Sequence, residues 1–236
     1  GEMPALGCRT GDFFFLEQPD AFAQQRLVVD LVSRRLPKSY GYDPLRDIQV
    51  ITPAKQGPLG TRELNRLLQG KLNPPERGKG EATLMGRTLR EGDKVMQIRN
   101  NYDIIWQQPD GTAGTGIFNG DMGIIEMLDP GSKTIQVRFE EKLATYSFEN
   151  QDQLEHAYAV TVHKSQGSEF EAVVMPLERR HPKLHYRNLL YTAVTRARKL
   201  LIMTGQKETV YAMVQNNRRT LRYTNQKEML QEMCDE

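Results

Sequence analysis

Cysteine is nearly missing from this 236-residue chain: Cys8 and Cys234 stand near opposite ends, with no ligand spacing around either. They read as free thiols of a cytosolic protein, which excludes a disulfide framework or a cysteine-built metal site. Long apolar runs are missing too. None approaches the roughly 20 residues a membrane-spanning helix needs, and there is no basic-then-apolar leader. Charge of one sign is not in excess either, since 32 Lys and Arg face 30 Asp and Glu for a net +2. Any affinity for nucleic acid must therefore come from local clusters rather than bulk charge. Internal repeats and low-complexity tracts are absent. The chain opens on Gly1 rather than Met, which reads as a piece excised from something longer.

What is present is the composition of a packed, soluble protein, 38% apolar and 26% charged. Residues 12–17, DFFFLE, suit a buried strand. From Ala21 to Leu36 the pattern turns helical, with Leu27, Val28, Leu31, Val32 and Leu36 on one stripe, Gln24 and Gln25 off it, and Pro37 as the stop. A second strand, Ile48 to Thr52, runs into the loop PAKQGPLG (53–60) and a helix from Thr61 to Gln69. That entry could present helix N–H groups to an anion, or be an ordinary strand–loop–helix connection. After the turn-rich NPPERGKGE (73–81) the period changes. Ile135, Val137 and Phe139 alternate with Thr134, Gln136 and Arg138, and short Gly-rich turns recur. Such period-2 alternation predicts a small antiparallel β module over 86–150.

The α/β pattern resumes after Asn150. A β-capable run, Tyr158 to Val162, ends in His163, Lys164, Ser165, Gln166 and Gly167, with Glu169 just beyond. Polar groups crowded at the end of a core strand are where open α/β sheets put ligands. Ala172 to Leu177 is a further strand, followed by the basic ERRHPKLHYR (178–187), which suits either DNA contact or a solvated loop. A helix is expected from Tyr186 to Arg198, then a last strand, Lys199 to Thr204, and a helix-compatible tail. On that helix Leu189, Leu190, Ala193, Val194 and Ala197 share an arc of about 140°. Arg196 lies at its edge, free to reach a phosphate or to pair with a carboxylate.

Two of these stretches together are specific. HKSQGSEFEAVV (163–174) and LLYTAVTRARK (189–199) resemble motifs V and VI of superfamily 1 helicases, and among these the RecD-like (RecD/TraA) branch. GDFFFLE and DPLRDIQVITP to TPAKQGPLGTRELNRLLQ are similar to that branch's motif IV region. GDKVMQIRNNYD and FNGD resemble its SH3-like insertion. The resemblance implies a RecA-like parallel sheet with flanking helices, residues 1–85 and 151–236, interrupted by an SH3-like barrel, 86–150. It implies an ATP-dependent 5′→3′ DNA helicase acting on single strands and duplex junctions in a bacterial cytoplasm, in DNA repair and recombination. By the same resemblance Arg196 is the arginine finger. Gly167, Glu169 and Lys55 face ATP, although Gln56 stands where the family's basic residue often precedes the glycine. Thr161, His163 and Lys164 face the DNA strand. Neither a phosphate loop, G-x-x-x-x-G-K-[ST], nor an acidic pair for Mg²⁺ occurs in these residues. ATP and Mg²⁺ would thus be held with an upstream RecA-like domain of the same protein, and this chain alone should hydrolyse no ATP. The competing reading is a nonenzymatic single-stranded-DNA-binding module. A relaxase-fused helicase differs only in what lies further upstream.

Overall fold

The computed structural model describes residues 6–7, 11–179 and 184–217; Cys8, Cys234, Arg180, Lys183 and the tail beyond 217 lie outside them. The first strand, β1 (Phe13–Glu17), leads to α1 (Ala21–Asp30), whose N-cap Asp20 accepts the Ala23 N–H at 2.7 Å. Pro37 does not stop this helix. A π-helical turn, Leu31–Arg35, carries it into α2 (Leu36–Tyr40), which closes at left-handed Gly41. The Leu36 N–H bonds back five residues to Leu31. Pro37 therefore falls in the first turn of a restarted helix, where its missing donor costs nothing.

After α2 come β2 (Ile48–Thr52) and α3 (Thr61–Leu72). The chain then leaves for a string of antiparallel strands and returns as β12 (Ala159–Thr161), β13 (Phe170–Pro176), α4 (Arg187–Val194), β14 (Ala197–Gly205) and α5 (Lys207–Gln215). The parallel sheet has the order β1-β14-β13-β2-β12. Every residue of β2 is buried, as expected of a central strand covered on both faces. Its alternation sorts the two cores. Ile48 and Val50 pack with Val28, Val32, Leu64 and Leu68 of the first helices, while Ile51 joins Leu189, Ala193, Val210 and Met213 of α4 and α5. Gln24 and Gln25 are buried, against expectation. Gln24 is satisfied by the Thr204 hydroxyl and the Leu177 carbonyl, and Gln25 by the Pro58 carbonyl. A buried amide with partners ties α1 to the sheet and to the 53–60 loop at little cost.

The antiparallel part begins with a hairpin, β3 (Glu81–Leu84) and β4 (Arg87–Arg90). Seven more strands follow: β5 (Lys94–Gln97), β6 (Asn101–Gln107), β7 (Ala113–Ile117), β8 (Met122–Asp129), β9 (Thr134–Phe139), β10 (Lys142–Ser147) and β11 (Leu154–His156). They form one sheet in the order β11-β5-β8-β9-β10-β6-β7 around a core that includes Val95, Ile125, Ile135, Val137 and Tyr146. Antiparallel pairing thus runs from Glu81 to His156, and the expected boundaries 86 and 150 fall inside that span. The fold class is the expected one, α/β with a parallel sheet interrupted by a small all-β module.

The two sheets meet at a polar junction. Asp93, fully buried, accepts hydrogen bonds from Gln69 (2.7 Å), Asn73 (2.6 Å), the Arg90 N–H (2.8 Å) and the Tyr158 hydroxyl (2.9 Å), and lies 3.1 Å from His156 Nε2. Gln49 of β2 donates to the carbonyls of Ala157 and Tyr158, and Asn65 of α3 to those of His156 and Ala159. Next to Asp93, Lys94 is buried with its Nζ 3.3 Å from the Ile48 carbonyl and 5.9 Å from the centre of the Phe170 ring. Burial pushes its ammonium down to about 8, against the opposing pull of Asp43 and Asp47. Between about 8 and the ordinary 10.5 the unfolded chain holds a proton that the folded chain has released, so stability rises with pH across that window. Below it the burial cost is fully present, about 3 kcal/mol. We expect Lys94→Met to gain stability at pH 7 and to lose the rise between pH 8 and 10, measured by urea unfolding. Parallel pH profiles for the two proteins would mean that the burial is not costly.

Candidate nucleotide and strand interface

The connection Val162–Glu169 follows the carboxyl end of β12 and returns to the amino end of β13. Its turns are held locally: the Ser165 N–H bonds the Thr161 carbonyl at 3.1 Å, and its buried hydroxyl donates to the Val162 carbonyl at 2.8 Å. Gly167 has φ +87°, a conformation that favours glycine, and no atom lies within 4 Å of where a Cβ would stand. The residue is therefore glycine for its backbone and leaves open space beside it.

Arg196 is not on a helix. Helix α4 ends at Val194, the Thr195 hydroxyl caps it through the Tyr191 and Thr192 carbonyls, and β14 has begun by Ala197. Propensity extended the helix to Arg198, but parallel pairing overrides it. The Arg196 carbonyl accepts the Phe170 N–H at 2.9 Å, which fixes the turn to the start of β13. The side chain then folds over its own turn. Nε donates to the Thr192 carbonyl (3.1 Å), Nη1 to the Ser168 carbonyl (3.0 Å) and Nη2 to the Thr195 hydroxyl (3.2 Å). A guanidinium has five N–H donors in a rigid fork, so among the described residues two remain for another acceptor. Glu169, next to Ser168, is 59% exposed on its side chain, with Arg198 at 3.8 Å as a loose counter-ion. The structure thus brings Arg196, Gly167 and Glu169 together at the amino ends of β13 and β14.

Lys55 lies elsewhere. It follows the carboxyl end of β2, and in a parallel sheet that is the opposite edge from Arg196. The Lys55 and Ala54 carbonyls accept the Arg62 and Thr61 N–H groups at 3.3 and 3.1 Å. Two first-turn donors of α3 are thereby used by the loop itself, which favours the ordinary strand–loop–helix connection of the two readings left open there. Gly60 makes this fold-back possible, since a Cβ there would sit 2.5 Å from the Gln56 backbone.

Of the residues assigned to the strand, Thr161 is buried, its hydroxyl accepting the Lys164 N–H at 3.4 Å, whereas His163 is exposed. Lys164 reaches back to Glu155 with a 2.5 Å bond. Burial raises the Glu155 carboxyl, but Lys164, with Arg87 and Lys55 adding to it, holds the group below the ordinary carboxylate range. Arg87 approaches by donating to the neighbouring Leu154 carbonyl at 2.9 Å. Lys164 and Arg87 therefore sit beside Glu155, with Lys55 within electrostatic reach, where the 162–169 connection meets the β module. Sequence reading missed Glu155 and Arg87, because only the return of β11 beside β5 brings them to Lys164. Within the basic 178–187 segment, Arg187 donates its Nε to the Val214 carbonyl at 2.7 Å, tying the start of α4 to the end of α5.

Residues 64–139 match the SH3 domain of ATP-dependent RecD-like DNA helicases, and residues 156–204 match the UvrD-like helicase C-terminal domain. These two matches define the class: an SH3-bearing segment of the superfamily 1 helicase type. The ATP-dependent RecD2 DNA helicase of Deinococcus radiodurans is 33% identical over 205 residues, covering 87% of this chain and 25% of that protein. The RecBCD enzyme subunit RecD of Buchnera aphidicola is 26% identical over 172 residues, covering 72% and 26% respectively. The chain belongs to the RecD-like helicases, and it spans about a quarter of the length of these two relatives. A crystal structure of Pif1 helicase from Bacteroides in complex with ADP-AlF3 and ssDNA is 16% identical, with 90% of this chain and 50% of that chain covered at a TM-score of 0.46.

Proposed function

We propose that the chain is the second motor domain of an ATP-dependent helicase that moves 5′→3′ along single-stranded DNA, carrying an inserted SH3-like module over about 86–150. One observation carries this reading: Arg196, held at its turn with two donors to spare, lies against the Ser168–Glu169 step that precedes the neighbouring strand. ATP with Mg²⁺, when bound against a first motor domain, supplies the phosphoryl group whose transfer drives the cycle. Arg196 offers its free N–H pair to the charge that develops there. Glu169 accepts from the ribose, and Gly167 lets the backbone pass close by. Lys55, at the opposite edge of the sheet, fits the strand side better than the phosphate side.

His163 and Lys164, on the far stretch of the same connection, face the DNA in this reading, with Thr161 fixing their turn. Nucleotide state and strand grip are then read by the two ends of one eight-residue segment, 162–169. Without a phosphate loop of its own, the chain alone turns over no ATP.

The strand side has its own test in the whole protein. Each lost phosphate contact lowers the slope of log affinity against log salt by about 0.7 for a single strand. Lys164→Ala should do this for an oligothymidylate, while ATP turnover at saturating DNA stays near its starting value. An unchanged salt slope would remove Lys164 from the strand path.

A further inference from the structure

The hairpin β3–β4 stands apart as a two-stranded sheet of its own. Leu84 pairs with Arg87, so its loop is the two residues Met85 and Gly86, both at positive φ (+49° and +73°). That is the geometry of a type I′ turn, in which Asn or Gly at the first position is favoured and an unbranched apolar side chain is disfavoured. Met85 nevertheless occupies it, and its side chain is 76% exposed, more than any other large apolar residue among the described ones. A strained backbone holding an apolar group out in water brings the fold no stability. The exposed group gains nothing from folding, and the conformation runs against it.

The surroundings give the tip a use. Arg87, which follows the tip, donates to the Leu154 carbonyl beside Glu155, the carboxylate that Lys164 bonds at 2.5 Å, and Lys55 is within electrostatic reach of it. An apolar tip with cations beside its base matches an unpaired nucleic-acid strand, which offers phosphates to the one and exposed base faces to the other. We infer that the Met85–Gly86 tip is a base-contacting wedge: Met85 packs against or between bases of single-stranded DNA, while Arg87, Lys164 and Lys55 hold the adjoining phosphates. A hydrophobic contact with another protein surface would need no cations beside it.

The inference rests on the strand path proposed above, and one substitution separates its two consequences. Asn is favoured at the first position of this turn and is polar. In the whole protein, Met85→Asn is therefore expected not to lower Tm and to weaken oligothymidylate binding about tenfold. Met85→Leu, which keeps the apolar surface, should retain binding. The salt slope should stay the same in both, because no phosphate contact is lost. If Met85→Asn binds normally while Lys164→Ala loses affinity, the wedge is wrong and the strand path stands. If neither changes binding, the strand path itself is wrong. Normal binding together with loss of association with a partner protein would make the tip a protein contact and overturn the inference.

Discussion

Arg196→Ala in the whole protein should lower DNA-stimulated ATP turnover by roughly 10³-fold or more while leaving single-strand affinity within about twofold, the range that arginine fingers command in other NTPases. The reason for so large a loss is geometric. The guanidinium is tied at three points, to Thr192, Ser168 and Thr195, so its remaining donors are aimed before any nucleotide arrives. Pre-set donors cost no reorganisation when charge develops. Arg196→Lys should recover little, since a single ammonium cannot both bond the Ser168 carbonyl and reach outward as a fork. Turnover within a factor of two of the parent would withdraw the role, and would favour a module that binds single strands without driving a motor.

Asp93→Ala should be the most damaging substitution to the fold, costing about 3–5 kcal/mol. The carboxyl group is fully buried and collects donors from α3, from the Arg90 backbone and from Tyr158. Its removal takes the acceptor of the Tyr158 hydroxyl and of the Arg90 N–H, and one of two acceptors each from Gln69 and Asn73, whose amides keep the Thr88 and Glu91 carbonyls. Asp93→Asn keeps the volume but turns an N–H₂ toward existing donors, so an intermediate loss of about 1–3 kcal/mol is expected. Urea unfolding of both variants against the parent checks the order. A loss below about 1 kcal/mol for the alanine variant would mean the junction is not held by this group.

Much of this was legible in the sequence because it is local. Strand β2 keeps its expected bounds, Ile48 to Thr52, and strict alternation at Thr134–Phe139 marks the antiparallel module. The resemblance of 163–174 and 189–199 to helicase motifs located the candidate site. What escaped was set by pairing partners distant in the chain. The end of α4 is decided by Phe170 and Ala197 lying side by side, which helix propensity cannot see. The burial of Gln24 depends on Thr204, and the company of Lys164 depends on β11 returning beside β5. Pro37 misled for a different reason: it breaks a regular helix, and a π turn ahead of it had already reset the hydrogen-bond ladder.

The junction has a mechanical consequence. The β module is not strung between two free linkers. Its exit, Ala157–Tyr158, is buried and bonded on both sides, with the Ala157 N–H on the Lys94 carbonyl and Gln49 on both carbonyls of the pair. The next residue, Ala159, already opens β12, and the 162–169 connection follows at once. The module is thus a lever welded to the sheet. Any tilt of β12 at its root is therefore expected to carry the module with it rather than be absorbed by a linker.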